Sequence, residues 1–343
     1  MEERHMDLRS MSYEELQEKL VREGEKPYRA GQLFSWLHKE HAASYEEMTN
    51  LSAALCERLA KNYPLCTLKT LAMQEAKDKT RKYLFRLPDG ETVESVYMRY
   101  RFGVSVCVSS EVGCRMGCKF CASTIDGLTR KLSPAEMLEQ VYAITRDTKE
   151  KVSHVVVMGM GEPLENLENV LRFIALLTDE RGLNLSARNI TVSTCGLVPE
   201  ILALAEKKLQ INLAISLHAP TQEQREQLMP VAKRYPLDML MAACRDYYEA
   251  THRQLTFEYA LVKGDNDSKE DALRLAALLG ELNCMVNLIP VNPVKECGLS
   301  PTDKTDVLNF KKLLEKNRIH VTIRREMGRE IDGACGQLRR RKA

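Results

Sequence analysis

The sequence predicts an α/β protein whose main part is an open, partial barrel of six strand–helix repeats, preceded by a small helical unit and a β-hairpin extension. Three observations predict it. From residue 102 onward, strand-length apolar runs alternate with helical stretches, a pattern that implies a parallel sheet with helical crossovers. About six repeats are present, too few for the usual eight-unit barrel. The 343 residues, 44% of them hydrophobic, can bury a full-sized core and still form a second, smaller unit.

Residues 1–64 read as the helical unit. Ser12 and Glu15 form a capping box ahead of Leu16 and Leu20, and Leu33, Trp36 and Leu37 recur at helical spacing. Residues 65–101 carry the hairpin: between Arg81 and Tyr100 the chain alternates around Pro88-Asp89-Gly90, turn chemistry between two half-buried strands. Glu94 falls on the second of them, where an isolated glutamate is ordinarily a solvated residue. The barrel occupies residues 102–338, with strands expected at Ser105 to Ser109, Val155 to Met158, Ile190 to Ser193, Ile211 to Leu217, Leu255 to Val262 and Met285 to Val291. Residues 339–343 form a basic tail, and the chain shows no internal repeat, low-complexity segment or long linker.

In folds of this kind chemistry collects at the carboxyl ends of the strands. Those ends carry Cys114 to Cys121, Gly159 to Pro163, Ser193 to Gly196, Ser216 to His218 and Pro290 to Asn292.

Fifty basic side chains against 48 acidic ones leave a formal charge of +2, so total charge gives no argument for a nucleic-acid partner. An RNA-binding surface must be a local patch. Lys77, Lys79, Arg81, Lys82, Arg99 and Arg101 form a basic stretch near the hairpin that could hold phosphate, as could Arg339 to Lys342; ordinary solvated surface is the alternative for both. The longest apolar runs fall far short of a bilayer span, and Met1 to Ser10 is charged rather than signal-like. A soluble, cytoplasmic protein with no membrane partner is expected.

Eleven cysteines cannot all pair, and with no secretory signal metal binding or thiol chemistry is the better reading. Cys56, Cys66, Cys244 and Cys284 sit singly among apolar neighbours and read as core filling. Cys114-x-x-x-Cys118-x-x-Cys121 is different. Three thiols this close can wrap one inorganic cluster and leave one iron open to chelate a small molecule. A zinc site using Cys118 and Cys121 with two further thiols is the competing interpretation. Gly159-Met160-Gly161-Glu162-Pro163 supplies flexible backbone and a carboxylate one repeat later, where turn-forming glycines would be the plain alternative.

The cysteine spacing, with Phe120 just before the last thiol, resembles the radical S-adenosylmethionine superfamily. The resemblance narrows when Cys107-Val108-Ser109-Ser110, Ser193-Thr194-Cys195-Gly196, Ser216-Leu217-His218-Ala219-Pro220 and Asp332 to Leu338 are added. Together these look like the dual-specificity RNA methyltransferase N family, from the helical unit to Leu338. The resemblance implies a radical S-adenosylmethionine barrel and methylation of C2 of adenine in 23S ribosomal RNA and beside the anticodon in tRNA. It also implies one [4Fe-4S] cluster on Cys114, Cys118 and Cys121. S-adenosylmethionine would contact Gly161, Glu162, Ser193, Ser216, Leu217, His218 and Asn292. An electron donor such as flavodoxin or ferredoxin is a further implied partner. The helical unit would bind RNA, and a monomer is expected because all functional parts lie in one chain.

C2 of adenine is an electron-poor carbon with no lone pair to attack a sulfonium methyl group. The family's solution, as the resemblance implies, loads a methyl group onto Cys335 from a first S-adenosylmethionine. The radical made from a second then abstracts hydrogen from that methyl. The carbon radical adds to the base, and Cys107 resolves the covalent adduct by forming a disulfide with the carrier. Glu94 matches the proton acceptor. Cys195, Cys297 and Met160 match nothing catalytic. The target base must leave its stack, which favours single-stranded loops or an extruded nucleotide.

Three alternatives stand beside this expectation. One is the sister family that methylates C8 of the same ribosomal adenine, although Pro163 and Ile289 to Pro293 look like the C2 branch. The others are a radical enzyme with a small-molecule substrate and a zinc-stabilised RNA-binding module without catalysis.

Overall fold

Ser12 Oγ accepts the Glu15 N–H and the Glu15 carboxylate accepts the Ser12 N–H, so α1 (Tyr13–Arg22) begins where the capping box predicts. With α2 (Tyr28–His38) and α3 (Ala53–Asn62) it forms a helical unit that buries Leu16, Leu20, Leu33, Phe34, Leu37 and Leu59. The structure is a computed structural model and describes residues 7–290, 300–324, 331 and 338–339. Part of the unit's attachment to the rest is ionic. Arg9 is fully buried and donates to Glu139 Oε2 at 2.7 Å and to the carbonyls of Ala42 (2.7 Å) and Cys66 (2.6 Å).

One ten-stranded sheet runs through the remainder of the described chain. β1 (Lys69–Glu75), β2 (Arg81–Arg86) and β3 (Thr92–Tyr100) form an antiparallel meander, and β3 pairs antiparallel with β4 (Gly103–Cys107). A two-stranded ribbon, β5 (Glu111–Gly113) with β6 (Leu128–Lys131), stands outside this sheet and leads into α4 (Pro134–Thr148). The chain then alternates through β7 (Val152–Val157), α5 (Leu167–Thr178), β8 (Ile190–Thr194), α6 (Val198–Glu206) and β9 (Asn212–Ser216). It continues with α7 (Gln222–Leu228), α8 (Leu237–Thr251), β10 (Leu255–Leu261), α9 (Lys269–Leu279), β11 (Cys284–Pro290), α10 (Lys304–Lys316) and β12 (His320–Ile323). Beyond β3 the sheet is parallel, in the order β4-β7-β8-β9-β10-β11-β12.

All six expected strands are present within a few residues of their expected bounds. Two points differ. The hairpin is a three-stranded meander continuous with the barrel sheet, because Val96 of β3 sits opposite Cys107 of β4. A further parallel strand, β12, follows the sixth strand–helix unit; its four residues include His320 and Thr322 and offer no apolar run to read.

Parallel sheets are usually covered on both faces and read as unbroken apolar runs. Here burial alternates. Val155, Val157, Ile190, Val192, Leu213, Ile215, Phe257, Val286 and Leu288 are fully buried, whereas Val156, Thr191, Ser193, Ser216, Asn287 and Thr322 are half-buried. The second set marks an inner face left accessible and lined with polar side chains. The register places Lys82, Glu94 and Cys107 on that same face, since Lys82 and Cys107 both lie opposite Val96 on its two flanking strands.

Candidate active site

The chain leaves β4 at Cys107, and Val108 to Ser110 runs on beside Gly159 and Met160, the segment that leaves β7. Gly159 N–H donates to the Val108 carbonyl at 3.0 Å and Ser110 N–H to the Met160 carbonyl at 2.9 Å. Gln140 of α4, fully buried, clamps this extension by accepting the Ser109 N–H at 2.8 Å and donating to the Ser109 carbonyl at 3.0 Å. Ser109 Oγ in turn donates to the Glu94 carbonyl at 2.7 Å. Cys107 and Glu94 therefore lie at the carboxyl end of the parallel strands, where the expected chemistry collects.

Glu94 is not the solvated residue its strand pattern predicts. It is 3% exposed and its carboxylate lies 2.9 Å from Nζ of Lys82, itself 1% exposed; Oε1 also accepts the Arg339 N–H at 2.7 Å. That burial removes Lys82 from the proposed phosphate-binding stretch. Arg81 pairs with Tyr97 and Tyr100 with Gly103, so Lys79, Arg81, Arg99 and Arg101 cluster where β4 begins, opposite the cysteine loop. Lys79 and Arg81 are tied to Glu75, at 2.9 and 2.7 Å, and Arg99 to Glu150 at 3.6 Å.

The three cysteines follow β5. Cys114 and Cys118 are buried and Cys121 half-buried, with the Cys121 N–H donating to the Cys118 carbonyl at 3.1 Å. Burial raises the Cys114 thiol and pushes Cys118 up to about 12, and the neighbouring Cys121 raises both further, so unaided thiolates are disfavoured there. A multi-iron cation would reverse that balance, and three adjacent buried thiols are the donor set a [4Fe-4S] cluster takes. Among the described residues no three His, Cys, Asp or Glu side chains are gathered around a single metal-ion position. The residues present fit the cluster.

Around this loop stand the other strand ends. Gly161 has φ +104°, and a Cβ there would lie 2.6 Å from Cβ of Glu111, so only glycine fits the turn. Glu162, 3% exposed, accepts the Cys195 N–H on Oε2 at 2.7 Å and the Leu164 N–H on Oε1 at 3.0 Å, while burial raises its pKa. Ser193 Oγ donates to the Val157 carbonyl at 3.1 Å. Leu217 and His218 donate their N–H groups to the Glu258 carbonyl at 3.1 and 3.3 Å. His218 Nδ1 accepts the Ala260 N–H at 2.9 Å and its ring meets Phe120 edge-on, with centroids 4.5 Å apart. Burial lowers the His218 pKa to about 3, so the ring is neutral. This contact places the cysteine loop over the end of β9.

Asn292, Cys297 and Cys335 lie outside the described residues, as do Arg340 to Lys342. No disulfide joins two described cysteines. Of the cysteines read as core, Cys66, Cys244 and Cys284 are buried and Cys56 is half-buried. Cys195 is 6% exposed and within electrostatic range of Cys114 and Cys118.

Sequence reasoning missed several residues of this site. Glu258 is 5% exposed on the inner face, accepting from Asn287 Nδ2 at 2.9 Å, and Asn287 accepts from Thr322 Oγ1 at 2.9 Å. A carboxylate inside the otherwise apolar run Leu255 to Val262 was the available signal. Glu111, fully buried with its pKa raised to about 7 chiefly by desolvation, accepts the Glu162 N–H at 2.8 Å. A cavity of about 610 Å³ opens beside Arg115 and Met116 of the cysteine loop, but none of the expected cluster, S-adenosylmethionine or catalytic residues lines it.

Comparison with known proteins agrees with this geometry. Residues 108–276 match the radical SAM superfamily, and residues 6–64 match the ribosomal RNA large subunit methyltransferase N-terminal domain. A solved radical SAM methyltransferase from Sphaerobacter thermophilus superposes with a TM-score of 0.94 at 42% identity, covering 97% of this chain and 98% of that one. Fold and site define a radical S-adenosylmethionine enzyme that methylates RNA. A probable dual-specificity RNA methyltransferase RlmN from Lachnospira eligens is 56% identical over 97% of this chain and 95% of its own length. One from Lachnoclostridium phytofermentans is 52% identical over 98% and 94%. The chain belongs to the dual-specificity RNA methyltransferase RlmN family. Membership implies a [4Fe-4S] cluster, S-adenosylmethionine and RNA substrates. No helix among the described residues is long and apolar enough to cross a membrane.

Proposed function

We propose that this chain methylates C2 of an adenine in 23S ribosomal RNA and of an adenine beside the anticodon in tRNA, through a methyl group carried on Cys335 and a transient enzyme–RNA adduct. The observation that carries the reading is the shared placement of Cys107 and Glu94: both buried, both on the inner face, both at the strand ends beside the cysteine loop. A resolving thiol must reach the carrier sulfur of the adduct and a proton acceptor the C2 hydrogen beside it, and this placement gives them a common target.

In this reading Cys114, Cys118 and Cys121 hold one [4Fe-4S] cluster. Gly161, Glu162, Ser193, Ser216, Leu217, His218 and Asn292 bind S-adenosylmethionine, of which two are used per turnover. The cluster supplies the electron that splits S-adenosylmethionine and starts the radical chemistry. Cys335 accepts a methyl group by displacement at the sulfonium. After the methylene carbon has joined the base and the adduct radical has lost one electron, which the cluster would take back, Glu94 takes the C2 hydrogen as a proton, with Lys82 2.9 Å away holding its carboxylate. Cys107, as the thiolate, then attacks the Cys335 sulfur, forming a disulfide as the bond from that sulfur to carbon breaks; the electron pair stays with that carbon, which takes up a proton and becomes the methyl group. The electron comes from a low-potential donor such as flavodoxin or ferredoxin. The helical unit, residues 1–64, contributes to RNA binding, and the enzyme acts as a cytoplasmic monomer.

The test is anaerobic reconstitution with iron and sulfide, then turnover on 23S ribosomal RNA fragments and tRNA with wild type and Cys335→Ala. Mass spectrometry should find 2-methyladenosine from wild type and none from the variant. 8-Methyladenosine would assign the sister activity instead, and undiminished methylation by the variant would remove Cys335 from the mechanism.

A further inference from the structure

Arg225 of α7 is a buried cation with no carboxylate partner among the described residues. It is fully buried; Nη2 donates to the Cys195 carbonyl at 2.7 Å and more weakly to the Ser216 carbonyl at 3.4 Å, while Nε and Nη1 meet no acceptor among the described residues. A guanidinium stays protonated even when burial lowers its pKa, as it does here. Taking such a charge out of water without a counter-charge is strongly unfavourable. The surrounding chain is nevertheless built to admit it. A Cβ at position 196 would stand 3.1 Å from Nη2, and Gly196 has φ +103°, so glycine leaves the guanidinium its room.

What this cation faces is the cysteine loop. The Lys119 N–H, next to Cys118, donates to the Leu228 carbonyl at the end of α7 at 2.9 Å, and Gly117 lies against the ring of Pro230 just beyond. The guanidinium lies within electrostatic range of the Cys118 sulfur. The loop's own cations, Arg115 and Lys119, are exposed and screened by solvent, so Arg225 is the buried positive charge there. Two carboxylates of opposite sign stand in the same range, Glu111 of Cys114 and Glu162 of Cys118.

We propose that Arg225 is the buried counter-charge of the iron–sulfur cluster and raises its reduction potential. The inference rests on the reading that Cys114, Cys118 and Cys121 hold that cluster. A cluster on three thiolates is anionic, and one electron from a low-potential donor adds one more negative charge with no bond made or broken. A fixed guanidinium beside it favours the reduced form, as charge and hydrogen bonding around such clusters do. Arg225 is a charge-setting residue and does not touch substrate.

The experiment compares full-length wild type, Arg225→Lys and Arg225→Met after anaerobic reconstitution. Iron and sulfide content is measured, and the reduced cluster is followed by electron paramagnetic resonance during titration with titanium(III) citrate. In Arg225→Met, the ratio of reduced to oxidised cluster at a fixed potential should fall about tenfold or more, a shift of roughly 59 mV to more negative potential for one electron. Arg225→Lys should recover most of that shift. A methionine variant that fails to assemble a cluster while the lysine variant succeeds supports the same role. An unchanged potential in Arg225→Met with full cluster content overturns it, as does loss of the cluster in both folded variants, which marks a purely steric role. Wild type that assembles no cluster would instead sink the reading of the three cysteines, and this inference with it.

Discussion

Glu162 accepts the backbone N–H of Cys195 at 2.7 Å, so the carboxylate that follows β7 fixes the loop that follows β8. Two adjacent strand ends are thereby locked together by one buried side chain, which also takes the Leu164 N–H. Replacing Glu162 by Ala orphans both donors in a buried setting. Each such loss costs about 1–3 kcal/mol. Urea denaturation of Glu162→Ala should show a midpoint lowered accordingly, and an unchanged midpoint would mean the loop holds itself.

Lys82 and Glu94 are both almost fully buried and 2.9 Å apart. Removing one partner takes the facing counter-charge from the other in a buried setting, at a cost of up to about 3–5 kcal/mol, whereas replacing both with apolar residues is often near neutral. Lys82→Met should therefore unfold at markedly lower denaturant than Lys82→Met/Glu94→Leu. If the double variant is no more stable than the single one, the pair is not the source of the loss.

Acid should weaken the contact between the helical unit and α4. His38 and His41 pack against Tyr142 of α4, and burial lowers their pKa values to about 3 and about 4. In the unfolded chain both return to about 6.5, so the native state binds fewer protons below that pH. Their contribution is complete above pH 6.5 and is lost as pH falls toward 4, each site by roughly 1.4 kcal/mol per pH unit. Equilibrium unfolding at pH 7.5 and 5.5 should reveal this slope, and His38→Gln/His41→Gln should flatten it. Equal slopes in the two proteins would place the acid sensitivity elsewhere.

Cys195 lies near Cys114 and Cys118 without belonging to their loop. Cys195→Ser should keep wild-type iron and sulfide after reconstitution, while Cys114→Ala, Cys118→Ala and Cys121→Ala should each lose most of it. Iron loss in Cys195→Ser alone would make it a ligand.

Much of this was legible in the chain because periodicity reports burial. The six strands were readable because one face of each must be apolar to meet the helices, and the capping box at Ser12 because side chain and backbone satisfy each other locally. What escaped depends on partners distant in sequence. Arg9 looks like an ordinary charged residue near the start, yet it pairs with Glu139 across 130 positions. Glu94 looks solvated until Lys82 comes alongside it, and the same contact withdraws Lys82 from the basic surface. β12 is too short and polar to announce itself, and Arg225 carries no local sign that its helix will be folded under a thiol loop.

β4 is the seam of the sheet, held by antiparallel pairing to β3 on one edge and by parallel pairing to β7 on the other, with Cys107 in register on both sides. A residue stitched on two edges has no strand edge left to peel from. Its sulfur can rotate about its own side-chain bonds but cannot be carried anywhere. Any thiol that exchanges with Cys107, as proposed, would have to come to it, so the travelling would fall on the other partner, with β4 as the fixed berth.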